Sequence, residues 1–393
     1  MDPDVRTERR EGGGVEEEHR HGAVRGRPYR PRAARVRSSF RRRVGWDAGS
    51  DSEDASIVLH GVRIQQAVAP EASSMDVRRF GNTDLRVSEY GLGCARIGGI
   101  FQRDSAGFID LLAAARDAGI VFYDTADMYS QGESETLIGR AFRRQRDRIV
   151  IATKAGYCLP AQRRFIARIK PFVRPLIQLL KLKRTQLPAA VRGALAQDFS
   201  PAYLTRAVEG SLKRLKTDYV DLLQMHSPPA EIVERGDFID ALEQMKRAGK
   251  IRYYGVACDT VEAALAALRY PGVSSLQVAV NLLERRAAEA VLPRAHEQGV
   301  AVIARETLAN GLLVKDAAEI DLKKYCQSPE EESLRAEQLE RYRAEARGAG
   351  ESLARHSLEY VTRLNGVSVS LLGVSRLGQL RSLLRELPSA EAE

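Results

Sequence analysis

Residues 108–129 read FIDLLAAARDAGIVFYDTADMY, and the fold turns on the change of period inside that stretch. Phe108, Leu111, Leu112 and Ala115 recur at the three- and four-residue spacing of one helix face. Gly119 then stands where a helix commonly ends in a left-handed residue, and the β-branched and aromatic run that follows reads as a short buried strand closing on Asp124. The same alternation recurs along the chain. Strands are expected near residues 88–93, 120–124, 148–153, 219–225, 251–256, 276–280, 300–304 and 367–372. Leu204, Val208, Leu212 and Leu215 mark a second helix face, Gly249 and Gly299 fall just after helical patterns, and Ser200 with Pro201 offers an N-cap followed by proline at the first helical position. Strict alternation implies parallel strands joined by crossover helices, and eight such units close a barrel. The expected fold is α/β, a (β/α)8 TIM barrel. An open doubly wound sheet is disfavoured, because the glycine-rich stretch Gly91 to Arg96 lacks the third glycine of G-x-G-x-x-G.

The chain has 393 residues, more than the ~250 of an ordinary barrel, so it must carry appendages. Residues 1–74 hold fourteen Arg against twelve acids, with ten Arg and no acid between Arg20 and Arg43, the composition of a disordered tail. Ordered patterning begins at Met75, an alternative start of the native chain. The barrel is expected over 75–393, with insertions at about 156–198 and 314–350 after the third and seventh strands. Both fall in βα loops, which a barrel gathers on its C-terminal face. Of the net charge of +9, residues 155–197 supply all nine, as nine Lys and Arg with no acid, so a uniformly basic nucleic-acid-binding surface is not expected. Four widely spaced cysteines without a C-x-x-C pair suggest neither a zinc ribbon nor a disulfide framework. No stretch approaches the ~18 apolar residues of a membrane span, and a soluble, cytoplasmic protein is expected.

The C-terminal ends of barrel strands are where reactive side chains belong. The second strand ends at Asp124, the third at Lys154 and the fourth at His226, and Tyr129 lies five residues beyond Asp124. Singly these read as a helix cap, a rim ion pair, a strand-end histidine and a core aromatic. Together they make a proton-transfer set: Lys154 is expected to lower the Tyr129 phenol, Asp124 to hold Lys154 charged, and His226 to orient a carbonyl. No G-x-S-x-G elbow supports acyl transfer. Metal binding is not expected, since Asp124 and His226 lack a third ligand and Lys154 repels a cation.

These residues lie in motifs that resemble the aldo-keto reductases: DTADMY over Asp124 to Tyr129, ATKAGY around Lys154, SLKRLKTDYVDLLQMH ending at His226, and the opening RRFGNTDLRVSEYGLG. The resemblance runs from about Met75 to the last strand and helix. It implies a nicotinamide cofactor, NADPH with NADH as the alternative, and reduction of a small-molecule aldehyde or ketone to an alcohol. In that scheme Tyr129 is the general acid, Lys154 and Asp124 tune it, and His226 positions the carbonyl. It also implies that Gln277 holds the carboxamide, that the loop from Arg305 to Leu313, with Leu308 and Gly311, meets the pyrophosphate, and that Gly373, Ser375, Arg376 and Gln379 meet the adenosine phosphate. The chain departs from the family where Ala257 and Cys258 replace a Ser-Asn pair, Val280 replaces an aromatic and Leu383 replaces an Asn. The alternative function is a cofactor-binding regulatory or redox-sensing subunit of the same fold.

Residues 161–184 interleave eight basic residues with Phe, Ile, Val and Leu, and Pro171 and Pro175 interrupt any single helix. Attachment just beyond Lys154 makes this segment a lid whose charge attracts anionic carbonyl compounds, with contact to an anionic membrane surface as the alternative. Deleting 161–184 is expected to lower kcat/KM for charged aldehydes relative to neutral ones. Unchanged constants with loss of liposome binding would instead support the membrane role.

Overall fold

A computed structural model describes residues 75–98, 105–158 and 196–387. The expectations for residues 1–74 and 161–184 lie outside the described residues. β1 (Val77–Arg79) and β2 (Arg86–Ser88) pair antiparallel as a hairpin. β3 (Tyr90–Gly93), β4 (Phe122–Asp124) and β5 (Val150–Ala155) begin the barrel, and β6 (Tyr157–Cys158) pairs antiparallel with β7 (Ala196–Gln197) at the two ends of the first insertion. β8 (Val220–His226), β9 (Ile251–Ala257), β10 (Val273–Ala279), β11 (Ala301–Arg305) and β12 (Val367–Gly373) complete the barrel, which closes where β12 pairs in parallel with β3. All eight expected strands are present, in the expected parallel order.

The crossovers are α1 (Ser105–Asp117), α2 (Glu133–Ala141), α3 (Pro201–Leu215), the short α4 (Ala230–Arg235) with α5 (Ile239–Arg247), α6 (Val261–Ala267), and α7 (Arg286–Ala290) with α8 (Leu292–Glu297). α9 (Pro329–Gly348), α10 (Leu353–Thr362) and α11 (Leu377–Glu386) follow. The two helix faces read from the sequence are the buried ones: Phe108, Leu111, Leu112 and Ala115 on α1, and Leu204, Val208, Leu212 and Leu215 on α3. Gly119, Gly249 and Gly299 each take a positive φ at a helix end. Ser200 caps α3 by accepting a hydrogen bond from the Tyr203 N–H, an arrangement whose loss removes roughly 1 kcal/mol.

Two apolar layers result. The outer one packs the helices on the strands, while the inner one fills the barrel with Phe122, Val150, Ala152, Leu222, Ile303, Val369 and Leu371. The hairpin supplies Phe80, Leu85 and Val87 to the inner layer, and Phe80 meets Phe122 with ring centroids 5.8 Å apart. This plug corrects the sequence reading, in which one strand spans 88–93: residues up to Ser88 belong to the hairpin, and the barrel strand starts at Tyr90. In the second insertion α9 opens on the Ser328 cap with Pro329 and three glutamates in its first turn, which suits the helix dipole. Leu339 and Tyr342 of α9 pack on Leu282, Ala309, Leu312 and Leu313, residues of the loops after β10 and β11. α9 therefore covers part of the C-terminal face.

At Gly139 of α2 the helix lies close against the end of α3, so that a Cβ would stand 2.4 Å from the Leu215 carbonyl oxygen and 2.7 Å from its Cα. Backbone of α3 cannot yield as a side chain would. Gly139→Ala is expected to lower stability by about 1–3 kcal/mol, read as a lower urea midpoint at unchanged m-value; an unchanged midpoint would contradict this packing.

Candidate active site

Asp124, Lys154 and His226 occupy the last positions of β4, β5 and β8, or within one residue of them, and all three are buried. Lys154 Nζ donates to both carboxylate oxygens of Asp124 at 2.6 Å and to the Thr125 carbonyl at 3.1 Å. Asp124 Oδ1 also accepts from Gln277 Nε2 at 2.8 Å and from Gln224 Nε2 at 3.2 Å. The carboxylate is thereby fixed from three strands, β5, β8 and β10. Burial pulls the Lys154 ammonium toward neutrality, but Asp124 and Tyr129 outweigh it and its pKa rises above the ordinary lysine value.

Tyr129 comes from the turn between β4 and α2. Thr125 and Ser134 hydroxyls bond at 2.9 Å, Ser134 Oγ donates to the Cys94 carbonyl at 3.0 Å, and Asp127 N–H donates to the Lys154 carbonyl at 3.0 Å. Ser130 and Gln131 take left-handed φ values of 51° and 62°, conformations that surrounding contacts must enforce. The phenol ring then meets His226 edge-on with centroids 5.6 Å apart, and Lys154 Nζ lies 5.3 Å from the ring centroid. The structure thus brings together all four residues read as one proton-transfer set.

One expectation is corrected. Burial pushes the Tyr129 phenol above its ordinary pKa, and the nearby Lys154 ammonium offsets that only in part. His226 moves the other way, lowered to about 3 by burial first and then by the charges of Lys154 and Arg305. The same desolvation holds the phenol protonated and the imidazole neutral.

Several residues at this mouth escaped the sequence reading. Gln224 lies two residues before His226 on the same strand, so the two-residue strand period places it on the same inner face; that signal was available. Tyr157 packs edge-on to His226 at 4.8 Å, and its carbonyl accepts from the Tyr203 hydroxyl at 2.7 Å. Gln197 Nε2 bonds the His226 and Ser227 carbonyls at 3.2 and 2.8 Å. Asp127, beside the turn, is pushed up to about 7 by burial and by Glu135. The surroundings of Tyr157, Gln197 and Asp127 do not follow from local pattern.

The family model for the aldo/keto reductase family matches residues 90–389. The chain belongs to the aldo/keto reductase family. It is accordingly an NAD(P)H-dependent oxidoreductase. It is 31% identical over 312 residues to the uncharacterized oxidoreductase YqkF of Bacillus subtilis, covering 78% of this chain and 89% of that one. It is 29% identical to the aldo-keto reductase YhdN of the same organism, covering 79% and 88% of the two chains. Among solved structures, the holo form of aldo-keto reductase AKR11C1 from Bacillus halodurans superposes with a TM-score of 0.64 at 27% identity, over 81% of this chain and 92% of that one.

The residues expected to meet a dinucleotide lie in two different kinds of surroundings. Near β12, Gly373 and Gly378 have open space where a Cβ would stand, Arg376 is exposed at the start of α11, and its side chain does not cap that helix. First-turn N–H groups and a guanidinium suit a phosphate. Ser375 N–H and Oγ bond Gln379 Oε1 at 3.0 and 3.1 Å, so these two residues are held together. Gly311 has φ 101° and no backbone within 4 Å of a built Cβ, next to buried Leu308. The other residues at which the chain departs from the family pattern are apolar or thiol: Ala257, Cys258 and Val280 are buried, Leu383 belongs to the core, and the Gln277 amide N–H is committed to Asp124.

His226 supplies a direct test. An imidazole of folded-state pKa about 3, against about 6.5 unfolded, stays neutral over the whole physiological range. Between those two values the unfolded chain binds the extra proton, so this group makes stability fall as pH falls through that window. NMR of the folded protein is expected to show one histidine ring, lost in His226→Asn, that does not titrate above about pH 5; a midpoint near the ordinary value would contradict the burial.

Proposed function

We propose that this reductase converts an aldehyde or ketone to an alcohol, with Tyr129 giving the proton to the developing alkoxide and NADPH as the preferred cofactor. The observation that carries the reading is the meeting of Tyr129, His226 and the buried Lys154–Asp124 pair at one barrel mouth. When bound, the reduced nicotinamide supplies a hydride to the carbonyl carbon. The chain's own groups handle the oxygen. Neutral His226 donates one N–H toward it and fixes its direction, and the protonated phenol stands beside that imidazole. As the carbonyl oxygen gains charge, the Tyr129 O–H bond breaks and the proton completes the alcohol. The phenolate left behind faces Lys154, whose ammonium stays charged because Asp124 accepts two of its hydrogen bonds. A proton from solvent restores the phenol.

Gln277 offers its amide oxygen to the carboxamide while its N–H holds Asp124. Exposed Arg376 and the free first turn of α11 support recognition of an adenosine 2′-phosphate, which favours NADPH over NADH. Tyr157, partly exposed and edge-on to His226, would form a wall for the substrate carbonyl.

The test is Tyr129→Phe assayed with both reduced cofactors over a panel of aldehydes and ketones. The single-turnover rate of reduction should fall by roughly a hundredfold to ten-thousandfold while dinucleotide affinity stays nearly unchanged. Retained turnover removes Tyr129 from the proton step. Tight dinucleotide binding by the unmodified chain without turnover on any carbonyl would favour the regulatory reading.

A further inference from the structure

Arg305 ends β11, and its guanidinium reaches over to the end of β9. Nη2 donates to Asp259 Oδ1 at 2.8 Å and to the Cys258 carbonyl at 3.3 Å, while Nη1 pairs with Glu306. β10 lies between β9 and β11 in the barrel, so this side chain spans the C-terminal end of the strand that carries Gln277. The charge of Arg305 is felt at both Tyr129 and His226. It therefore stands at the edge of the site, on the side where Ala257, Cys258 and Val280 supply no polar side chain beyond a buried thiol.

The two ends of the bridge are unequal. The Arg305 side chain is 23% exposed and that of Asp259 60% exposed. Asp259 can swing into water without leaving a buried charge, whereas Arg305 would keep Glu306 on Nη1 and be left with only the Cys258 carbonyl on Nη2, a partly buried donor open to a second anion. The rest of the loop is not free to follow. Glu306 has φ 57° and accepts from Asn310 Nδ2 at 3.1 Å, and its carbonyl accepts from Asn281 Nδ2 at 3.0 Å. Asn281, buried, also receives the N–H groups of Leu283 and Glu284. The backbone under Arg305 is pinned and Glu306 is tied to Asn310, so Asp259, the more exposed partner, is the one placed to exchange.

We propose that the Arg305–Asp259 bridge is a latch over the dinucleotide groove, in which Asp259 stands in for a phosphate group of the cofactor and is displaced by it. A planar guanidinium exchanges a carboxylate for a phosphate with little change of geometry, since both present paired oxygens. Arg305 is then a cofactor-binding residue, and Asp259 a positioning residue that keeps it oriented and competes with the ligand. This rests on the dinucleotide-binding reading above and adds to it a competing carboxylate.

The experiment is equilibrium titration of the full chain with NADPH, followed by nicotinamide fluorescence, for the unmodified protein, Asp259→Asn, Arg305→Ala and the double variant. Arg305→Ala should weaken binding tenfold or more. Asp259→Asn should tighten it by roughly two- to fivefold, the scale of a partly exposed ion pair, and should do so only while Arg305 is present. No tightening in Asp259→Asn, or the same tightening in the Arg305→Ala background, overturns the latch and reduces Asp259 to one more negative charge near the groove. Absence of dinucleotide binding by the unmodified chain is the separate result that removes the cofactor reading itself, and the latch with it.

Discussion

An ammonium and a carboxylate buried together inside a closed barrel are the interaction on which the rest of the site depends. Lys154 and Asp124 are 1% and 5% exposed at their side chains, and each would be strongly destabilising alone. Removal of either leaves an uncompensated buried charge, a loss on the order of 3–5 kcal/mol. The pair is tolerable because its hydrogen-bonding capacity is filled: Asp124 takes Lys154, Gln224 and Gln277, and Lys154 takes the Thr125 carbonyl as well. Gln224 and Gln277 come from β8 and β10, so the full set of partners is present only in the closed barrel.

What was legible in the chain follows from that geometry. A strand in a parallel barrel is short, apolar and terminated at its C-terminal end by whatever the site requires, so Asp124, Lys154 and His226 announce themselves as polar residues closing apolar runs. Tyr129 could be attached to them by sequence proximity alone. The hairpin that plugs the opposite end was not legible. Its strands are three residues each, too short for a period to register, and Arg79 and Arg86 give no hint that Phe80 and Leu85 between them turn inward. Gln224 was legible in principle, because a strand has a two-residue repeat. Contacts made across the fold were not, among them Tyr157 on His226 and Arg305 on Asp259.

The acidity of Tyr129 departs from the sequence expectation for a physical reason. A sequence shows which charges lie near a group along the strands, and an ammonium neighbour points to a more acidic phenol. It does not show how much water the folded site excludes. Desolvation is the larger effect at Tyr129, as at His226, and it acts on any ionised form whatever its sign. Phenols and carboxyls rise, as Asp127 does, and imidazoles fall.

For the proposed reaction that reversal is an advantage in the direction of reduction. A phenol made strongly acidic in the resting enzyme would spend much of its time as phenolate, with no proton to give, and would suit alcohol oxidation better. A buried phenol keeps its proton until the carbonyl oxygen develops charge, and only then does Lys154 face a phenolate that it can stabilise. The ammonium contributes little to the ground state and much to the charge-separated one, which is where catalysis requires its effect. A neutral imidazole completes the arrangement, because His226 as a cation would repel Lys154 and compete with it for that charge. Burial therefore sets the protonation pattern of the resting site, and the Lys154–Asp124 pair sets how that pattern changes as a proton leaves.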